Sequence, residues 1–253
     1  MAENVAATRL QSSGAHALEL DGVGRNFGAL VALSGITMRI AAGERRAILG
    51  SNGAGKTTLF SVISGFAPPT QGDVRFDGHG IVGISPDRLV RRGLIRSFQI
   101  VQTFADMSTL DVVTTAALTR RPIREAIDYA AHVLGRVGMA GKEHLTPATL
   151  SLQDKKLLEL AKCLATDPRC ILLDEVMAGL TMAETEAPMA VVRELNRQGV
   201  TIVMVEHVMP VIMRLATRIV VINFGEKIAE ATPEDIVKDQ RVIDAYFGDE
   251  LDA

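Results

Sequence analysis

Cysteine is scarce in this chain. Of 253 residues only Cys163 and Cys170 are cysteines, seven positions apart and without a Cys-x-x-Cys pair. That spacing suggests neither a zinc site nor a disulfide framework, so both read as buried core thiols of a reducing compartment. Positive charge is not in excess either: 27 lysines and arginines stand against 30 aspartates and glutamates, a net charge of −3. Phosphate-backbone affinity comes from clustered Lys and Arg, so a nucleic-acid partner is not expected. Long hydrophobic runs are missing too. No stretch approaches the ~18 consecutive apolar residues of a membrane helix, and runs such as Ile202–Val205 are strand-sized. A soluble chain is expected, one still able to dock on a membrane complex. Met1–Ala15 is small and polar, without the basic start and apolar run of a signal peptide, and reads as a loose tail. No internal repeat or low-complexity segment is evident. The length suffices for a large core, as one domain or one domain with an insertion.

What is present centres on residues 45–65. Gly50, Gly55, Lys56 and Thr57 fill the fixed positions of the phosphate-binding pattern G-x-x-x-x-G-K-S/T, with Ser51, Asn52, Gly53, Ala54 and the following Thr58 completing the loop. An apolar strand (Ala47, Ile48, Leu49) enters it. A helix with Leu59, Val62, Ile63 and Phe66 at helical spacing leaves it, ended by Gly65, Pro68 and Pro69. Gly50, Gly53 and Gly55 let successive N–H groups turn inward, making a concave anion site at the positive end of a helix. Lys56 adds a full charge that can reach terminal phosphates, and the Thr57 hydroxyl is placed for Mg2+.

Upstream, Leu18, Leu20 and Val23, then Ile36, Met38 and Ile40, alternate as two half-buried strands with Phe27 between them. An aromatic there is ordinarily core filler; beside a nucleotide loop it is a candidate platform for adenine. Val74, Phe76 and Ile81–Ile84 read as further short strands of a small antiparallel sheet. Pro86–Arg92 reads as a short basic helix and Leu94–Ser97 as a strand, followed by Phe98 and Gln99. From Met107 to about Lys142 the chain is Ala-rich and helical, an inserted helical subdomain whose Arg120, Arg121 and Arg124 read as a solvated helix face. Leu157, Leu160, Ala161 and Leu164 place an amphipathic helix after Ser151, running to Thr166.

Strand and helix then alternate: strands at Cys170–Leu173, Val200–Val205 and Ile219–Asn223, helices at Ala183–Gln198 and Met209–Ala216, and short terminal helices at Pro233–Lys238 and Val242–Phe247. Continuous apolar strands between helices indicate a parallel sheet covered on both faces. The first of these strands ends in Asp174 and Glu175, and an acid at such a strand end faces the ligand crevice. Asp174 is suited to hold Mg2+, and Glu175 to orient and deprotonate an attacking water.

The order Phe27, the loop Gly50–Thr58, Gln99, Leu150-Ser151, Asp174-Glu175 and His207 resembles the ATP-binding subunits of ABC transporters, from about Leu18 to Phe247. The resemblance implies an α/β phosphate-loop ATPase core with a mostly parallel sheet, an N-terminal antiparallel β subdomain and a helical subdomain inserted at about 105–166, as one domain over 16–253. It implies ATP and Mg2+ as ligands, Phe27 against adenine, Gln99 at the metal and lytic water and toward the membrane subunits, and His207 at the terminal phosphate. Two such subunits would enclose two ATP molecules, with Ser151 acting in trans. Departures are visible. The signature Leu-Ser-Gly-Gly-Gln is here Leu150-Ser151-Leu152-Gln153-Asp154, Val176 replaces a common proline, and Thr181 stands where Asp or Asn is common.

Several further runs resemble the ATPases of branched-chain amino acid importers: Gly93–Gln99, Leu158–Pro168, Ala178–Leu180, Val205–Met209, Ala229–Asp235 and Val242–Gly248. Importers for urea, short amides or aromatic acids share them, and soluble ABC proteins share the chemistry. The resemblance implies two permease subunits, a second ATPase, an external solute-binding protein, and a peripheral position on the cytoplasmic face of the inner membrane.

Overall fold

Neighbouring side chains of a strand point to opposite faces, so a strand that is apolar at every position must be covered twice. Three strands that are apolar at nearly every position, at Cys170–Asp174, Thr201–Val205 and Arg218–Asn223, organise this chain. In the computed structural model, which describes residues 16–97 and 107–247, β1 (His16–Phe27) and β2 (Leu30–Ala41) form an antiparallel ribbon, and the chain then crosses to a second sheet through β3 (Arg45–Leu49). After α1 (Lys56–Ile63), β4 (Gln71–Phe76) and β5 (His79–Gly80) return to the ribbon, giving a four-stranded antiparallel sheet in the order β2-β1-β4-β5.

The rest builds the second sheet and its helices. In chain order these are α2 (Pro86–Arg92), β6 (Leu94–Arg96), α3 (Thr109–Ala117), α4 (Ile123–Arg136), a 3-10 turn at Pro147–Thr149, α5 (Leu152–Ala165), β7 (Cys170–Asp174), α6 (Met182–Arg197), β8 (Thr201–Val205), α7 (Met209–Leu215), β9 (Arg218–Asn223), β10 (Glu226–Ala231), α8 (Pro233–Ile236) and α9 (Gln240–Phe247). The sheet runs β10-β9-β3-β8-β7-β6, parallel from β9 to β6 and antiparallel only at β10.

The pleat divides the core into two. Leu49, Ile171, Leu173, Ile202, Met204, Ile219 and Val221 face the helices α3–α7. Ile48, Leu172, Val203, Val205, Val220 and Ile222 face the antiparallel sheet and α1, with Phe60 and Leu59 between them. Arg46 is buried on β3 and ties the layers together: its guanidinium donates to Glu44 Oε1 at 2.5 Å, to Glu230 Oε1 on β10 at 2.6 Å and to the Arg39 carbonyl on β2 at 3.1 Å. Three acceptors, one on β2, one on β10 and one in the turn before β3, satisfy a charge that burial alone would penalise.

Three expectations differ from this structure. Ile81–Ile84 is not a strand: Ile81 N–H still reaches the Val74 carbonyl at 2.9 Å, but Ile84 N–H then turns back to Ile81. Gly83, at a φ of 79°, ends any pairing. The edge strand β10 has no counterpart in the sequence reading. Arg120 and Arg121 do not lie on a solvated helix face. They sit in the turn between α3 and α4, where Arg120 Nε donates to the Thr166 carbonyl at 3.1 Å and Arg121 pairs with Asp167 at 2.6 Å. The Arg121 guanidinium also lies 3.5 Å over the Tyr129 ring. Arg121 is half-buried, Arg120 and Arg124 are exposed, and only Arg124 of the three lies on a helix, α4.

Candidate active site

Strand register brings the motifs together. Ile48 on β3 and Asp174 on β7 are both level with Val205 on the intervening β8. Neighbouring strands lie roughly 4.8 Å apart, so the segments leaving all three strand ends emerge side by side. These are the loop beginning at Gly50, the pair Asp174-Glu175, and the run to His207. Sequence separations of more than a hundred residues thus collapse onto one edge of one sheet, where an open parallel sheet binds its ligands.

The loop is shaped by backbone rather than by side chains. Gly55 has a φ of 104°, and a Cβ there would come within 2.6 Å of the Ala32 carbonyl oxygen, so only glycine fits. A Cβ at Gly50 would meet the Ile222 carbonyl oxygen at 2.4 Å. The first turn of α1 has no side-chain cap, leaving its N–H groups available to an anion at the positive end of the helix. Lys56 Nζ donates to the Gly50 and Ser51 carbonyls at 2.7 and 2.9 Å. Burial pulls the lysine below its ordinary value, while the charges of Glu175 and Asp174 act to raise it. The two acids are therefore near enough to the lysine to act on it, as the register requires.

On the opposite wall Asp174 Oδ2 receives Arg96 Nη2 at 2.7 Å, and Arg96 also donates to Ser61 Oγ at 3.1 Å. Asp174 N–H donates to Ser97 Oγ at 2.9 Å. Glu175 has a φ of 52°, a left-handed conformation that costs a non-glycine residue about 1–3 kcal/mol and persists only where the surroundings impose it. Its N–H donates to the Val205 carbonyl at 2.9 Å, and its Oε1 lies 2.9 Å from His207 Nε2. The Thr57 hydroxyl and the Asp174 carboxylate are hard oxygen donors, suited to a Mg2+ ion that takes one or two protein ligands and the rest from phosphate and water. Among the described residues no cluster of three or more His, Cys, Asp or Glu could cage a metal by itself.

The sequence model of the ABC transporter family matches residues 33–178. The chain belongs to that family. As an ABC cassette it binds and hydrolyses ATP, and its α/β architecture is that of solved members. It superimposes on the ADP conformation of an ATP-binding cassette of an ABC transporter with a TM-score of 0.85 at 25% identity, covering 92% of this chain and 99% of that one. A second model, described as branched-chain amino acid ATP-binding cassette transporter, matches residues 226–252. The cassette is 35% identical to the high-affinity branched-chain amino acid transport ATP-binding protein BraF of Pseudomonas aeruginosa, covering 92% of this chain and 98% of the relative. It is 32% identical, over the same shares, to the LivG protein of Escherichia coli, which has the same description.

Against the expectations for an ABC cassette, Phe27 is the last residue of β1, half exposed and covered on one face by the Arg25 guanidinium at 4.6 Å, leaving ring surface for a base. Ser151 caps α5, accepting from Asp154 N–H at 3.1 Å, and is exposed. The altered signature is folded inward in part: Gln153 Nε2 donates to the Glu184 carbonyl at 2.8 Å, and Leu152 packs toward the Gly179 turn while remaining half exposed. Thr181 caps α6 in a capping box with Glu184. Gln99 lies outside the described residues.

Sequence reasoning did not single out three charged side chains that the fold places here: Arg96, Lys156 and Glu206. Arg96 could have been found from its strand, since β6 pairs in parallel with β7 and sets Arg96 beside Leu172, next to the motif acid. Glu206 lies between Val205 and His207 and is buried; burial pushes its carboxyl up to about 7, against the Met177 N–H and the charge of Lys156 and with the charge of Glu175.

Proposed function

We propose that this cassette burns MgATP to drive an importer of branched-chain or related amino acids. The observation that carries this reading is the meeting of Lys56, Asp174, Glu175 and His207 at adjoining strand ends, followed by a C-terminal segment, residues 226–252, of the branched-chain amino acid cassette type. In this reading Gly50–Thr58 and Lys56 hold the phosphates, and Phe27 receives the adenine. Thr57, Asp174 and Gln99 would hold Mg2+, which would supply positive charge against the transferred phosphoryl group. Glu175 takes the proton of the water that attacks the γ-phosphorus, ADP departs with the electron pair of the broken P–O bond, and His207 orients Glu175 and faces the terminal phosphate.

The cassette is proposed as a single domain over 16–253, lying peripherally on the cytoplasmic face of the inner membrane. No helix among the described residues is long and apolar enough to cross a membrane, so membrane attachment in this reading comes from two permease subunits. A second ATPase subunit supplies the facing half of each nucleotide site, and an external binding protein delivers the solute. Leu152 and Gln153, in place of two glycines, make the composite site at this chain's Ser151 unlike the one formed by an intact signature. Closure on ATP and reopening after hydrolysis move the permeases.

The test is reconstitution with the proposed permeases, second ATPase and binding protein. Leucine, isoleucine or valine should stimulate ATP hydrolysis and accumulate in vesicles, whereas stimulation by urea, short amides or aromatic acids alone would redirect the substrate. ATP turnover of this chain alone should differ from that of the mixed pair, and equal rates would remove the inequality of sites.

A further inference from the structure

Two buried ionisable side chains flank the turn that carries Glu175. Lys156 on α5 is 7% exposed and Glu206, just past β8, is 3% exposed. Burying an ionisable group costs free energy unless its surroundings compensate, so what each one touches is informative. Lys156 Nζ donates to the Glu175 carbonyl at 3.2 Å, and Glu206 Oε1 accepts from Met177 N–H at 2.9 Å. The first contact fixes the peptide between Glu175 and Val176, and the second fixes the peptide between Val176 and Met177. The two planes on either side of Val176 are thus each held by one charged side chain from a different element. With the Glu175 N–H bond to the Val205 carbonyl, three anchors impose the left-handed backbone of Glu175.

Val176 gives this arrangement its point. A proline ring would fix φ near −65°; the valine side chain supplies no such restraint. Within the turn the Ala178 N–H reaches the same Glu175 carbonyl at 3.2 Å. We propose that Lys156 and Glu206 are positioning residues for ATP hydrolysis, a clamp that holds the Val176 peptides and thereby aims the Glu175 carboxylate. The proposal rests on Glu175 being the base. Neither side chain touches substrate; each acts through the backbone of the turn. Misplacing a reacting group by about 1 Å can cost on the order of 10²-fold in rate, and binding of nucleotide at the loop is untouched by such an error.

The experiment measures kcat and KM for MgATP with the full-length chain assembled with its partner subunits. Glu206→Ala should lower kcat by about 10- to 100-fold with KM within about twofold of the parent. Glu206→Gln, which keeps an acceptor for the Met177 N–H, should recover most of that loss, and Lys156→Met should fall with Glu206→Ala. Adding Val176→Pro to Glu206→Ala should restore part of the rate, because the ring replaces the missing restraint. Parental kcat in Glu206→Ala, a KM that rises in proportion to the loss, or a Gln variant as slow as the Ala variant would each overturn the clamp. If Glu206→Ala does not fold, Lys156→Met decides, and a parental kcat there overturns it. Glu175→Gln run in parallel separates the two readings. Its normal turnover would sink the base assignment, while an inactive Glu175→Gln beside a fully active Glu206→Ala sinks only the clamp.

Discussion

His207 Nε2 lies 2.9 Å from Glu175 Oε1, a contact made across the ends of β8 and β7 by residues 32 apart in the chain. The contact holds the imidazole and the Glu175 carboxylate together at the edge of the sheet. If Glu175 is the base, Glu175→Gln should retain ATP binding and lose about 10²- to 10⁴-fold in turnover, roughly 3–5 kcal/mol of barrier. His207→Ala should also slow turnover, by freeing the carboxylate to rotate. Phosphate release at saturating MgATP, beside nucleotide binding by calorimetry, checks both. Normal turnover in Glu175→Gln would take the proton-accepting role away from it.

Much of this edge was legible in the sequence because its parts are local. The phosphate loop is a contiguous pattern, and β7, β8 and β9 are apolar at nearly every position, which only a doubly covered strand requires. The edge strand β10 was not legible: Glu226–Ala231 is polar and Ala-rich, and it forms because Val220, Val221 and their neighbours on β9 offer an open ladder. Tertiary pairing overrides such a weak intrinsic preference. Lys156 and Glu206 were opaque for another reason. Charge in a helix or at a strand end ordinarily means solvent, and only the packing of the Glu175 turn between α5 and β8 shows otherwise.

Besides its proposed contact with phosphate, Lys56 is tied into the loop itself. Its ammonium bridges the Gly50 and Ser51 carbonyls, so its removal loosens the loop as well as deleting a charge. Lys56→Ala should weaken binding of a non-hydrolysable ATP analogue by at least about tenfold, or ~1.4 kcal/mol. Lys56→Arg should not restore it, because a planar guanidinium cannot replace a compact ammonium under the loop. Calorimetric titration measures both, and parental affinity in Lys56→Ala would contradict the assignment.

Arg46 makes stability depend on pH through Glu230. Burial alone would raise the Glu230 carboxyl, but hydrogen bonds from Lys227 and Arg46 and their charges leave it below its ordinary value. A carboxylate held lower in the folded state than in the unfolded chain binds fewer protons when folded. Its contribution is therefore present above the unfolded value and is lost as pH falls through the folded one. Urea unfolding between neutral pH and the acid side of the carboxylate range should show a smaller loss in Glu230→Gln than in the parent. Arg46→Ala, which leaves the Glu44 and Glu230 carboxylates without their buried partner, should cost about 3–5 kcal/mol. A parallel pH dependence in parent and Glu230→Gln would mean that other groups carry the effect.

Arg121 offers a comparison within one short basic stretch. Its guanidinium stacks 3.5 Å over Tyr129 and pairs with Asp167 at 2.6 Å, and Asp167 also accepts from Tyr129 Oη at 2.8 Å. The triad joins the α3–α4 turn to the end of α5, where Asp167 adopts a φ of 52°. Losing a partly buried pair and a stacked cation should cost about 1–2 kcal/mol, which in a chain of this size lowers Tm by roughly 2–8 °C. Exposed Arg124 has no comparable packing, so Arg124→Ala should stay within about 0.5 kcal/mol of the parent. Thermal denaturation of the two variants side by side checks this. Equal shifts would return Arg121 to the role of a solvated charge and leave the junction of α4 and α5 to apolar packing by Ala130, Val133 and Leu134 alone.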